Sequence, residues 1–387
     1  MKYINATAIA ILLASCGEPQ STTDSQLDAE WNSRNNPELI SGDYDSKFED
    51  LELSGKVDNL PWSDDYWPTY KGGLSYRWND RFAEQIGYET IDEENARDLT
   101  KVEIARLSPA EKYDLFVGYY DFPTVKSERK RTNVLKTIAG SDEFDPDYKI
   151  PTWEGLCHGW APASMNFKEP RSVTLKGANG LDVSFGSSDI KALLTYYQQY
   201  KGNRSTKTYF MADRCYDSFK ELKEKLDAGE ITKEEFDAKR ESSSCEDTNA
   251  GAFHIVLTNE IGKKKESFLV DITRDAEVWN QAVNSYSSVV VGESDKVTEG
   301  AAPGTVKEVH IKTKMVYTVE VSPRWSIVRT AENVGRYEYI LEINSDGKII
   351  GGRWISEDRP DFLWRETTPE FRGYFAALQH IYSQSIK

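Results

Sequence analysis

An amide can be opened through a covalent intermediate by a thiol, an imidazole that takes its proton and a carboxylate that steers the imidazole. Cys157 is the candidate thiol, in the run Ile150–Ser164 (IPTWEGLCHGWAPAS). The stretch after it opens a helix, which sets the thiol at a helix N-terminus. Unpaired N–H groups and the positive end of the helix dipole favour the thiolate there. Pro162 resists a helix that starts at Cys157, because a proline beyond the first turn weakens it. The helix is therefore expected to start nearer Gly159 or to kink, with Cys157 at its entrance.

There are four histidines. His158 adjoins the cysteine and cannot easily reach its sulfur. His254 lies in Ala250–Asn259 (AGAFHIVLTN), where alternation puts Phe253, Ile255 and Leu257 on one face and His254, Val256 and Thr258 on the other. That period predicts a strand, and Ser267–Thr273 predicts a second. With Gly262-Lys263 as a two-residue turn, His254 opposes Asp271, with Cβ atoms about 4.5–5.5 Å apart. The expected chemistry is acyl transfer through a thioester. Cys157 attacks an amide carbonyl, His254 carries the proton to the departing amine, and Asp271 orients His254. The Cys157 N–H and a side-chain donor hold the oxyanion. Trp153 and Trp160 are candidate donors or cleft walls. This chemistry requires no cofactor.

The elements around these residues follow from the ends inward. Met1-Lys2 and an apolar run ending at Leu13-Ala14-Ser15-Cys16 form a segment too short to span a membrane and suited to secretion. Its end resembles a bacterial lipobox, which implies cleavage before Cys16, a lipid on its sulfur and export to the outer membrane, on its periplasmic or outer side. Residues 17–57 are polar and acidic, expected to be a tether or pro-segment. Three cysteines then remain. Cys215 and Cys245 flank a Glu/Lys-rich helical pattern broken near Gly229, and an expected disulfide would close a loop of about 30 residues for about 3–4 kcal/mol. Cys157 is left free.

Lysine plus arginine is 48 and aspartate plus glutamate 64, a net charge of −16 that argues against nucleic-acid partners. With 39% hydrophobic residues and 10 Trp, 21 Tyr and 15 Phe, the chain can bury a core and line a cleft. An α+β catalytic region is expected over 58–387, with a cap at 58–149, a core at 150–290 and a β-rich extension at 291–387. In that extension 306–320 and 336–354 read as strands, Ser345-Asp-Gly347 as a hairpin turn and 369–383 as a helix. Ser108-Pro109 marks a helix start in the cap.

The Cys157 run resembles the cysteine motif of the transglutaminase elicitor family of oomycete cell-wall proteins and bacterial relatives. Four more stretches resemble family segments in the same order: Leu60–Pro68, Ser188–Leu193, Phe268–Thr273 through Ala276–Gln281, and Pro360–Trp364. The resemblance implies a papain-like core and a protein-glutamine γ-glutamyltransferase, with Cys157 as nucleophile, His254 as base and Asp271 as orienting acid. It implies protein partners presenting glutamine and lysine side chains, with membrane contact through the lipid alone. The third stretch resembles the segment that holds the family's surface epitope, but has Ala282 where a proline is expected. Family members are calcium-dependent, and Asp142, Glu143, Asp145 and Asp147 are the candidate oxygen ligands. A cysteine protease or amidase on the same core shares the first half-reaction, and a non-catalytic surface-binding protein is a reading from another class. A zinc site from Cys215, Cys245 and His254 has poor spacing and leaves Cys157 unexplained.

Overall fold

The computed structural model describes residues 31–81, 91–202, 205–215, 219–240, 247–274 and 276–387. The expected leader, Cys16 with its expected lipid, and Cys245 all lie outside the described residues.

The described residues form ten strands: β1 Ser54–Lys56, β2 Val173–Lys176, β3 Asp182–Phe185, β4 Thr208–Met211, β5 Leu269–Asp271, β6 Asn280–Ser294, β7 Thr305–Thr318, β8 Glu332–Asn344, β9 Ile349–Trp354 and β10 Leu363–Glu366. β2 and β3 form a separate ribbon. The others make one antiparallel sheet in the order β4-β10-β5-β6-β7-β8-β9, with β1 also on β6. Alternation is clear in β8, where Tyr337, Tyr339, Leu341 and Ile343 are buried. The β8–β9 turn falls where Ser345-Asp-Gly347 places it, with Gly347 at φ 78°.

Helices fill one core around the Cys157–Asn166 helix, with Trp62, Trp160, Leu193, Tyr197 and Trp364. A second core lies on the sheet around Phe253, Val256, Tyr339 and Leu341. The cap is helical where described. Its Pro109–Val117 helix starts on a capping box, with Ser108 Oγ accepting from Glu111 N–H and Glu111 Oε2 accepting from Ser108 N–H. The stretch between Cys215 and Cys245 holds two helices, Phe219–Asp227 and Lys233–Arg240, broken at Gly229 (φ 72°). The last helix is Ala376–Ser385.

Three expectations are corrected. Ala250–Leu257 is a helix, and it runs on through Thr258–Lys264, so Gly262-Lys263 is no hairpin turn. Asn249 caps it, its side chain accepting from Gly251 N–H (2.8 Å) and Ala252 N–H (3.3 Å). All eight residues of Ala250–Leu257 are buried. A segment apolar all round has no solvent face, so its alternation discriminates nothing. Gly251 lies against Gly351 of β9, where a Cβ would meet the Gly351 carbonyl oxygen at 2.3 Å. The acidic stretch before 58 is not a tether over its described part: Trp31, Ile40, Leu51 and Val57 are buried in the sheet core and β1 pairs with β6. The boundary at 290/291 falls inside β6, which carries the hydrogen bonding of the expected core straight into the expected extension. Among the described residues no helix is long and apolar enough to cross a membrane.

Candidate active site

The helix that carries the thiol begins at Cys157 itself, earlier than Pro162 had suggested. The Leu156 carbonyl accepts from the N–H groups of Gly159 (2.9 Å) and Trp160 (2.8 Å). The turn before it is pressed against the Leu60–Pro68 segment. Leu156 N–H donates to the Tyr66 carbonyl at 2.6 Å, and a Cβ on Gly155 would fall 2.5 Å from that same oxygen. Trp62 Nε1 donates to the Phe167 carbonyl just past the helix's other end (2.9 Å). Gly159 rests on the Ser187–Tyr196 helix, where a Cβ would meet the Thr195 carbonyl oxygen at 2.3 Å.

Cys157 is a free thiol, half-buried, and donates to the Val278 carbonyl at 3.7 Å. The backbone N–H and side-chain amide of Asn280, the first residue of β6, face the sulfur and favour its anion. They are outweighed. Burial, then the charges of Glu320 and Asp271, push the thiol up to about 11. The helix N-terminus does not deliver the thiolate expected of it.

Asp271 is the register partner of Asn280. Its Oδ1 accepts from Trp279 N–H (3.0 Å), Thr273 N–H (3.2 Å) and Thr273 Oγ1 (3.0 Å), while Oδ2 is buried without a partner. Burial pushes the carboxyl up to about 6. Asp361 lies behind it: its N–H donates to the Asp271 carbonyl (3.1 Å), and its carboxyl, buried and near Asp271, is pushed up to about 8. Asn280 Oδ1 accepts from Trp364 Nε1 at 2.7 Å. The Trp364 ring stacks on His158, with centroids 4.4 Å apart and planes within 9°. Burial and the nearby Arg214 push that imidazole down to about 4. Gln281 bridges to Glu320 (3.0 Å), and Tyr66 and Trp279 meet at 6.4 Å beside them.

Of the expected triad, Asp271 neighbours Cys157 and His254 does not. His254 Nδ1 bonds Tyr339 Oη (2.8 Å), which bonds Thr313 Oγ1 (2.7 Å) and through it Ser288 Oγ (2.7 Å). Ser288 is eight residues along β6 from Asn280, about 26 Å at strand rise. Burial pushes His254 down to about 3. It is a core residue, and the position opposite Asp271 belongs to Asn280. Trp160 is fully buried in the core and lines no cleft; Trp153 is half-buried in the turn before the helix. Cys215 is buried, its N–H on Asp361 Oδ2 (2.9 Å), and its expected bond to Cys245 lies outside the described residues. Asp142, Glu143, Asp145 and Asp147 are exposed, and among the described residues no three His, Cys, Asp or Glu side chains converge as metal ligands.

Tyr66, Asn280, Glu320 and Trp364 were not singled out from sequence. Three of them sit inside the stretches compared with the elicitor family: Tyr66 in Leu60–Pro68, Asn280 in Ala276–Gln281 and Trp364 in Pro360–Trp364. Those stretches meet at Cys157. The stretch likened to a surface epitope enters the core at its end, where Asn280–Asn284 are buried.

The sequence profile described as transglutaminase elicitor matches residues 39–373. No curated protein sequence matches the chain. The crystal structure of the GP42 transglutaminase from Phytophthora sojae is similar in fold, with a TM-score of 0.63 and 22% sequence identity over 92% of this chain and 98% of that one. The profile spans the segments before, at and after the cysteine, and on that ground this chain belongs to the transglutaminase elicitor family.

Proposed function

We propose that the protein is a protein-glutamine γ-glutamyltransferase that works through a Cys157 thioester. The observation that carries this reading is a half-exposed free thiol at a helix N-terminus, packed against β6 of an antiparallel sheet, in a chain of this family. In this reading the Cys157 helix and β5–β6 form a papain-like core. The substrates are glutamine side chains of proteins and the primary amines of lysines. Cys157 displaces ammonia from the carboxamide, and the amine then displaces the thiol. Asp271 takes the thiol proton. It is the carboxylate with a buried, unpartnered oxygen beside Asn280, and its raised pKa makes it a stronger base than an exposed aspartate. Tyr66 and Trp279 form an apolar flank that disfavours water as acceptor. Secretion, a lipid on Cys16 and the Cys215–Cys245 disulfide complete the reading.

Incubating the protein with a glutamine-containing protein and a labelled primary amine, with and without calcium, tests it. Wild type should incorporate amine and Cys157→Ala should not. His254→Ala should lose about 2–4 kcal/mol of stability, from the cavity and the stranded Tyr339 hydroxyl, and keep its turnover per folded molecule. Ammonia release without incorporation moves the assignment to an amidase or protease. One observation favours a non-catalytic binding protein: neither His254 nor the His158 ring, stacked on Trp364, is placed to serve the thiol. A wild type as inert as Cys157→Ala would establish that reading.

A further inference from the structure

We propose that the side-chain amide of Asn280 is the oxyanion donor of the Cys157 site, held in place for that task by the Trp364 indole. The inference rests on the acyl-transfer reading of Cys157 and adds the group that receives the charge on the carbonyl oxygen.

The partner of Asn280 settles which arm of its amide is which. An indole N–H only donates, and Trp364 Nε1 lies 2.7 Å from Oδ1, so Oδ1 is the carbonyl oxygen. Nδ2 is thereby fixed on the other arm, the one that faces the sulfur. Asn280 is 1% exposed and Nδ2 has no hydrogen-bond partner. An unpaired buried donor costs about 1–3 kcal/mol, and thiol sulfur is too weak an acceptor to recover it. An oxygen carrying charge next to that sulfur would be a strong acceptor. Trp364 is itself immobilised, fully buried in β10 and stacked on His158. The amide cannot turn away without breaking the indole bond, so the donor is oriented before charge develops, the condition under which such a group lowers a barrier.

In the step, the thiol proton passes to the Asp271 carboxylate and the sulfur pair forms a C–S bond to the carboxamide carbon. The π pair moves onto oxygen, where Asn280 Nδ2–H and the Cys157 N–H receive it. Collapse restores C=O and breaks C–N. The departing NH2 takes the proton from Asp271 and leaves as ammonia, and the thioester remains.

Two measurements test the proposal: kcat and KM for amine incorporation, and the affinity of a peptide whose glutamine carboxamide is replaced by an aldehyde. That aldehyde adds reversibly to Cys157 and is read by protection of the thiol from iodoacetamide. Asn280→Ala should lower kcat about 10²–10³-fold with little change in KM, and weaken the aldehyde to a similar extent. Asn280→Asp keeps the shape and the acceptor for Trp364 but replaces the donor by an oxygen, so at a pH that ionises it the variant should lose at least as much turnover per folded molecule, at some cost in Tm, and it decides the matter if Asn280→Ala does not fold. Trp364→Phe should lower kcat by about tenfold through misorientation, again at constant KM. Alkylation of the free Asn280→Ala enzyme should stay within about threefold of wild type; a fall matching the loss of turnover would assign Asn280 to the thiolate and overturn the proposal. Full activity in Asn280→Asp would overturn it too while leaving the transferase reading intact. Asn280-dependent aldehyde binding in a wild type that incorporates no amine would uphold the oxyanion site and sink the transferase reading.

Discussion

At the scale of single residues, the site differs from the familiar thiolate–imidazolium arrangement in its resting charge. A thiol at a helix N-terminus is expected to ionise easily, but here it is half-buried and shares its pocket with Glu320 and Asp271. The thiol, pushed up to about 11, is neutral at physiological pH, and in the proposed acyl transfer its proton leaves as the carbonyl is attacked. Alkylation of the free protein by iodoacetamide should therefore still be accelerating between pH 8 and pH 10. A rate already flat above pH 7 would show a preformed thiolate and contradict this account. The same comparison explains why His254 misleads. It lies in a segment whose apolar alternation imitates a strand, and its ring pairs with a tyrosine in the sheet core.

At the scale of elements, the position of the sulfur is set by the contact between the Cys157–Asn166 and Ser187–Tyr196 helices. Gly159 is the point of closest approach. Replacing glycine by alanine inside a helix normally gains about 1 kcal/mol of helix propensity. Here the added Cβ would sit 2.3 Å from the Thr195 carbonyl oxygen and 2.8 Å from Gln199 Cβ, so the helices must separate. Overpacking costs about 1–3 kcal/mol and prevails. Gly159→Ala should lower stability by about that much less the helix gain, and lower kcat as well, because the displaced element carries the proposed nucleophile. Thermal melts and the amine-incorporation assay check both; unchanged values in both would mean the helices do not meet there.

At the scale of the whole molecule, several acids are buried as neutral groups. Asp64 and Asp114 are each pushed up to about 7 and Asp361 to about 8, with burial as the main cause. Each keeps its proton in the folded chain at pH values where the unfolded chain has lost it. Their contribution to stability is fully present below the unfolded carboxyl value, near 4, and is lost as pH rises through the folded values. The buried imidazole of His254 acts with the opposite sign. Pushed down to about 3, it contributes above the unfolded value near 6.5 and loses that contribution as pH falls. Between about pH 4 and 6.5 the two effects oppose each other, and above that range only the loss from the acids remains. At about 1.4 kcal/mol per pH unit for each proton released, Tm should be several degrees lower at pH 9 than at pH 6. An equal or higher Tm at pH 9 would mean that these acids ionise in the folded chain at little cost.

The amino-acid sequence alone determined that a free thiol stands at the entrance of a helix. A single cysteine before a helix-opening stretch is a local pattern, as are the capped helix at Ser108, the turn at Ser345–Gly347 and the strands that flank it. Local patterns depend on neighbouring residues and carry their own signals. The partners of the sulfur are a different matter. Asn280, Glu320, Trp364 and Tyr66 come from four separate segments, and only tertiary packing brings them to Cys157. A buried helix apolar on every side and a buried strand present the same unbroken run of apolar residues, so no period could reveal that His254 faced Tyr339 and that Asn280 stood opposite Asp271. Tertiary packing decided that, because it alone fixes which buried polar groups find partners and which are left waiting for a substrate.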